Sequence, residues 1–269
     1  MRRNRRAWTW PCLSVPAAWL VACGGQVGGS APQDGGAPAT PFSGYVTATQ
    51  LSGEPEEILA AFSPSAAPMV LPFLGSCTPD NEVVAGCCYA STTPSRGASS
   101  VSAGTVQVNA GGAAQGVSLY PQYGYALQSA SLWAPGQVLQ VSATGAAVQA
   151  FAGSLQTVMP LEGVAPLVAG GPATMIDRAQ DFSVQWTPSS VAGDQVMLWF
   201  ETTSSWIIAC TADDAAGTLR VPSDLLQNVA AGDTAIVNFD RFSTTVVSVS
   251  NATVTLEGVT GLSAGATFL

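Results

Sequence analysis

The eight residues Asp181-Phe182-Ser183-Val184-Gln185-Trp186-Thr187-Pro188 alternate polar and apolar side chains and stop at a proline. Only an extended backbone puts every second residue on one side, so Phe182, Val184 and Trp186 mark the buried face of a strand. The same texture runs through the chain from Pro41 onward. Short runs of β-branched and aromatic residues are separated by Gly, Pro, Ser and Asn. Short, regularly punctuated strands of this kind build sandwiches and barrels, so the expected class is all-β, with two β-sandwich-like domains.

In the first half the pattern places strands at Tyr45–Leu51, Cys88–Ser91, Gly104–Asn109, Gly116–Tyr120, Tyr125–Ser131, Val138–Ala143 and Gly153–Val158. One helix is expected at Glu54–Phe62. Pro55 suits its first turn, and Glu54, Glu56 and Glu57 suit the positive end of its dipole. Gly163, Pro166 and Gly170-Gly171-Pro172 break up Leu161–Ala173, which has room for one strand. A domain boundary is expected there. Residues 41–172 form an N-terminal β-domain with a cysteine-bearing loop, and residues 173–269 form a second sandwich.

In that second half, strands are expected at Phe182–Pro188, Gln195–Thr202, Trp206–Ala212, Thr218–Val221, Thr234–Phe239, Thr244–Ser250 and Thr253–Val259. Asp213-Asp214 with Gly217 reads as a turn. Ser223 is expected to cap a helical turn, Asp224–Val229, closed by Gly232. Asn251-Ala252 reads as the tight turn between the last two strands. Seven strands in about 85 residues is the density of an immunoglobulin-like sandwich. Phe182–Pro188 resembles the second strand of fibronectin type III domains, whose tryptophan anchors the core. Leu226-Gln227-Asn228-Val229-Ala230-Ala231-Gly232 resembles the leucine and turn before their sixth strand. Two positions depart from that pattern: Ala231 stands where the turn usually has proline, and Ile236 or Phe239 replaces the tyrosine of the sixth strand.

The beginning of the chain reads as an address. Arg2, Arg3, Arg5 and Arg6 precede an apolar run from Ala7 to Ala22 that contains Pro11 and Pro16. A run of 16 residues is short of the roughly 20 that span a bilayer. Leu20-Val21-Ala22-Cys23 resembles the lipobox of bacterial lipoprotein signals. The resemblance implies a signal peptide over residues 1–22, lipidation of the Cys23 thiol, and cleavage before it. Cys12 would leave with the signal. Gly24 follows the cysteine, where an aspartate is associated with inner-membrane retention, so the resemblance points to a lipid anchor in the outer membrane. Residues 23–40, rich in Gly, Ala, Pro and Ser, cannot bury enough surface to fold and read as a flexible tether. The layout as a whole resembles a group of bacterial lipoproteins of unassigned function. They combine a lipobox, a Gly-rich tether, a cysteine-bearing β-domain and a C-terminal fibronectin type III or immunoglobulin-like sandwich.

Charge and absent residue types narrow the chemistry. The chain has no histidine and no lysine; its eight basic residues are all arginine. Without the signal, Arg96, Arg178, Arg220 and Arg241 face 17 carboxylates, a formal charge of −13. No basic patch is available for nucleic acid. An acidic surface is repelled by anionic head groups, so membrane contact should rest on the acyl anchor. Histidine relays, Schiff-base lysines, histidine-ligated metals and Walker-type phosphate loops are excluded. Carboxylate chemistry, calcium binding and plain scaffolding remain.

Cys77, Cys87, Cys88 and Cys210 suggest two disulfides in an exported protein. Adjacent Cys87 and Cys88 should take different partners. A small loop from Cys77 to one of them is favoured, the other pairing with Cys210 or staying free. No metal site is expected, because no Cys-x-x-Cys pair exists. Thr78-Pro79-Asp80-Asn81-Glu82 collects oxygen atoms but reads as a polar turn. Glu162, Asp181, Glu201 and Glu257 are carboxylates that a hydrolase acting on polysaccharide could pair across a cleft. Tyr120, Tyr123, Tyr125 and Trp133 form the densest aromatic cluster, a candidate platform for a glycan or a protein. Read together, these features describe a membrane-anchored, non-enzymatic binding or structural module needing no cofactor. The alternatives are a carboxylate hydrolase and a calcium-stabilised adhesin.

Overall fold

The computed structural model describes residues 41–64, 86–90, 101–110, 117–121, 125–129, 132–202 and 207–269. Residues 38–269 make up one compact unit. Strand is the dominant regular structure of the described part, and its organising element is one long hairpin. β15 (Thr234–Val249) and β16 (Ala252–Phe268) pair antiparallel from Thr234↔Thr267 to Val249↔Ala252 without a register shift. Three strands expected from the sequence are thus two, and the turn joining them is Ser250-Asn251, one residue earlier than expected.

The hairpin lies in the middle of a sheet that runs β3-β13-β12-β15-β16-β1-β2-β6 among the described residues. On one flank are β12 (Gln195–Thr202), β13 (Ile207–Asp213) and β3 (Cys87–Ala90). On the other are β1 (Phe42–Leu51), parallel to β16, then β2 (Glu56–Ser63) and β6 (Ala126–Ser129). Beyond β1, the short β10 (Thr174–Ile176) continues along β16. Two smaller sheets complete the fold. One orders β5 (Val117–Leu119), β4 (Val106–Ala110), β7 (Val138–Ala143) and β8 (Phe151–Gln156). The other orders β14 (Thr218–Val221), β11 (Phe182–Thr187) and β9 (Glu162–Ala165).

The helix expected at Glu54–Phe62 is β2 instead. Ile58, Ala60 and Phe62 are buried, a period of two, and they face Val46 and Ala48 of β1 in one core. The acidic residues that suggested a dipole flank a turn through Gly53, whose φ of 84° suits glycine. The helical turn near Ser223 is present but shorter, α1 (Ser223–Leu226). Pro222 holds the cap position, and Asp181 Oδ1 accepts the Ser223 N–H.

Two cores sit one after the other along the hairpin. The first joins Val46, Ile58, Phe62, Val106, Tyr125, Leu139, Phe151 and Leu155 to Val254 and Leu256 near the hairpin's tip. The second joins Val184, Trp186, Val196, Leu198, Phe200 and Leu219 to Val237, Phe239, Leu262, Ala264 and Phe268 at its base. Val237, Phe239, Val247 and Val249 share one parity in β15, and Val254, Leu256, Leu262, Ala264 and Phe268 share the matching parity in β16. Successive side chains alternate between faces, so both cores lie on the same face of the sheet. The cores part between β8 and β9, ahead of residue 172, and residues 173–269 are not a separate block: their last hairpin reaches into the first core. Met197, Ala209, Phe242, Val259 and Cys88 have the opposite parity and form a third cluster on the other face.

Candidate functional site

Between the two cores the chain passes from β8 to β9 directly over the hairpin. Gly258 makes the crossing possible, since a Cβ there would overlap the carbonyl oxygen of Gln156. Ser243 Oγ donates to that same carbonyl at 2.6 Å. Arg241 follows on the inward parity of β15 and is 1 % exposed. Its guanidinium meets five polar contacts. Nε and Nη2 reach Asp214 Oδ1, each at 2.8 Å. Nη1 donates to the carbonyls of Met159 and Pro160 at 3.0 and 2.7 Å, and Nη2 to that of Thr187 at 2.7 Å. One side chain thus fastens the crossing segment, the end of β11 and the turn after β13.

Asp214, 2 % exposed, opens a single 3-10 turn over Asp214–Ala216, closed by Gly217 at φ 64°. Its Oδ2 accepts the N–H of Ser189, and its carbonyl accepts Trp186 Nε1 at 2.9 Å. Trp186 packs on Phe239 with ring centroids 5.2 Å apart. The tryptophan that marked the second strand therefore joins the core to this junction. Asp214 N–H donates to the carbonyl of Asp194, the residue that enters β12. Asp194 is 4 % exposed, and its Oδ2 is buried without a hydrogen-bond partner. Burial first, and then the Asp214 charge, push its carboxyl above the ordinary range, against a Ser189 hydrogen bond and the Arg241 charge. A cavity of about 540 Å³ lies beside it, walled by Ser189, Ser190, Gly193, Asp194 and Asp213.

A larger cleft, about 680 Å³, flanks the β1–β2 turn. Thr49, Glu54, Glu57, Gln128 and Ser263 give its wall polar groups, set among Leu51, Pro55 and Ala169.

The residues singled out from the sequence do not converge. Cys23, Cys77, Tyr123 and the Thr78–Glu82 segment lie outside the described residues. Cys87 and Cys210 stand opposite each other in β3 and β13, with Cα atoms 3.9 Å apart, and form a disulfide. Cys88 is disulfide-bonded too, from the other face of its strand. The aromatic platform is corrected by the fold. Tyr125 and Trp133 are core residues, and of the three described members of the cluster Tyr120, 41 % exposed, presents its ring outward. Tyr125 adopts φ 51° and turns its ring against Phe62, centroids 5.5 Å apart. Its hydroxyl donates to the Gly104 carbonyl at 2.7 Å and accepts from Ala103 N–H at 3.0 Å. A phenol so engaged cannot stack on a ligand.

The four candidate carboxylates are dispersed. Glu162 is on β9 and Glu201 on β12. Glu257 is buried in β16, accepting from Thr47 Oγ1 at 3.3 Å. Asp181 accepts from Ser223 N–H and pairs with Arg220 at 3.0 Å. The Ser223 N–H, with help from Arg220, holds its carboxyl below the usual range. The sequence reading missed the Arg241–Asp214 pair. Its signal was an arginine at the inward parity of an apolar strand, two residues after Phe239.

No family model and no curated protein matches the chain. Among solved structures it is similar to the chicken CNTN1 FN1-FN3 domains, at 10 % identity over 82 % of this chain and 66 % of that one, TM-score 0.26. It is also similar to a two-domain fibronectin type III segment of chicken tenascin, at 10 % identity over 77 % and 91 %, TM-score 0.21. A third similar structure is a 1.5-MDa bacterial ice-binding adhesin, at 13 % identity over 85 % and 65 %, TM-score 0.18. The chain thus spans just under two thirds of the first and third of these. The fold itself is defined by strand order. β9, β11 and β14 face β13, β12, β15 and β16, the first, second and fifth strands against the third, fourth, sixth and seventh, with β10 set apart as a short companion of the seventh. That is a fibronectin type III/immunoglobulin-like sandwich.

Proposed function

We propose that the chain is a non-enzymatic binding or structural module, held at the outer membrane by acylation of Cys23 and displayed on the tether that follows. The observation that carries the reading is the role of the buried carboxylates. Asp214 holds Arg241 and Ser189 N–H, Glu56 receives the N–H groups of Leu132 and Trp133, Asp240 receives Trp199 Nε1, and Glu257 receives Thr47. These groups fasten strands and loops to one another, and the two carboxylates at the open cleft, Glu54 and Glu57, come from one turn and the strand it starts, whereas a glycosidase sets two carboxyls on either side of the bond it cleaves. The cleft at the β1–β2 turn is the surface best suited to a ligand. Its Thr, Gln, Ser and Glu side chains match the hydroxyls of a glycan.

Two measurements test this. A labelled fatty acid should enter the wild-type protein and not Cys23→Ser; equal labelling refutes the anchor. The full-length protein in detergent should bind on a glycan and cell-wall array, and Glu57→Gln combined with Gln128→Ala should reduce that binding at least tenfold. Binding that survives the double substitution removes the cleft from the proposal, and an array with no signal leaves the structural role.

A further inference from the structure

We propose that the free flank of β15 near the hairpin's tip pairs with the same flank of a second copy of this chain, as an antiparallel strand pair about a twofold axis. β12 pairs with β15 only from Ala235 to Phe242, where Gln195 is its last partner. From Ser243 to Val249, β15 keeps β16 on one side, and no described strand lies on the other. The open stretch reads Ser-Thr-Thr-Val-Val-Ser-Val. Thr244, Thr245, Val246 and Ser248 are exposed, Val246 to 58 %. The stretch is nevertheless firmly built. Val247 and Val249 pack against the first core, and every residue of it keeps its register with β16.

The parity of the ladder decides which backbone groups are free. Gly261 directs its carbonyl to Ser52, on the β1 side. Leu262 and the other even-numbered residues of β16 therefore bond toward β15, and their partners there are odd-numbered. The even-numbered residues of β15 turn N–H and C=O to the opposite flank. Phe242 meets Gln195 there, whereas Thr244, Val246 and Ser248 meet no described strand. Three donors and three acceptors in a row are a template for one more strand.

The edge itself selects the occupant. Natural edges are guarded by charge, proline or a bulge, and Ser243–Val249 has none of these. Its β-branched residues favour strand pairing. In a chain of net charge −9, two copies can meet along it without setting carboxylate against carboxylate. One twofold register satisfies all the free groups: Val246 opposite Val246 of the second copy, and Thr244 opposite its Ser248. The twofold keeps the sheet faces aligned, so Val246 touches its own counterpart and Thr245 lies beside Val247 of the second copy. The place also suits anchored chains. Phe42 lies beside Ala252 and its N–H donates to the Asn251 carbonyl, so the chain ahead of Phe42 departs from this same tip. Pairing here puts both departure points near the middle of the dimer, where both tethers can reach one membrane. That last point rests on the acylation of Cys23 proposed above; the pairing does not.

Full-length protein in detergent should sediment as a dimer whose fraction grows with protein concentration. Val246→Lys sets two ammonium groups together at the twofold and should raise the dimer dissociation constant at least tenfold. Its Tm should stay within about 2 °C of the parent, because the site is on the surface. Val246→Cys should be cross-linked to its counterpart by a short bis-maleimide. Ile236→Cys, equally exposed on the same face of β15 but roughly 65 Å from its counterpart in this pairing, should not. Cys23→Ser should leave the dimer intact. The proposal is overturned by a parent that stays monomeric throughout the series, or by a Val246→Lys protein that dimerises as the parent does. Equal cross-linking of Ile236→Cys also overturns it, as does a dimer that vanishes with Cys23→Ser, which would place the association in the acyl chains.

Discussion

Replacing Arg241 by methionine removes the guanidinium while keeping most of the volume of the side chain. The Asp214 carboxylate then stays buried with Ser189 N–H as its remaining donor, and the carbonyls of Met159, Pro160 and Thr187 lose theirs. Breaking a buried ion pair from one side costs about 3–5 kcal/mol. Each abandoned carbonyl adds up to about 1 kcal/mol, less where the crossing segment relaxes toward water. The sum is about 5 kcal/mol, which for a unit of this size lowers Tm by about 10–20 °C. Arg241→Met with Asp214→Asn removes the orphaned charge and should recover about 2 kcal/mol, while the carbonyls stay unserved. Guanidinium titrations of the four proteins, read by tryptophan fluorescence, close the double-mutant cycle. The reasoning is refuted if Arg241→Met costs less than about 1 kcal/mol, or if Asp214→Asn adds further damage on the Arg241→Met background.

Gly258→Ala should destabilise by about 1–3 kcal/mol, because its methyl must displace the Gln156 backbone at the crossing; an unchanged denaturation midpoint speaks against the close approach. Cys87→Ser with Cys210→Ser reopens a loop of 123 residues and should cost up to about 5 kcal/mol on loop entropy, with intact protein losing at least as much under reductant, which also opens the Cys88 disulfide. Tyr125→Phe should cost about 1–3 kcal/mol through the unserved Ala103 N–H and Gly104 carbonyl, and a neutral result would return Tyr125 to the surface.

Most strands were legible from the sequence, the strictly alternating β4 and β11 to within two residues of their expected bounds. β12 and β14 have the expected bounds in the second half, and β7 has them in the first. β2 was not, since Glu54-Pro55-Glu56-Glu57 satisfies the rules for a helix start and the short EEILAAFS run carries little periodicity of its own. What decided it was pairing with β1, a contact that local propensity does not encode. The long hairpin was hidden for a related reason. Asp240-Arg241 and Gly258 interrupt the apolar alternation and look like strand ends, yet Arg241 is matched by Asp214, 27 residues away, and Gly258 by the crossing at Gln156. The candidate site was illegible because its parts come from three stretches of chain: Met159-Pro160, Thr187–Asp194 and Asp213-Asp214 around Arg241. Cys87–Cys210 was among the pairings left open by the cysteine spacing, and strand register selected it.

The parallel pairing of β1 with β16 has a mechanical side. Phe42 lies beside Ala252 and Leu51 beside Gly261, ten pairs in all. A pull toward the N-terminus on Phe42 and toward the C-terminus on Phe268 draws the two strands in opposite directions along their length. The ladder is then loaded in shear, with its hydrogen bonds resisting together rather than opening one at a time from an end. A chain tethered ahead of Phe42 and gripped at its Phe268 end would meet that load through its most resistant geometry.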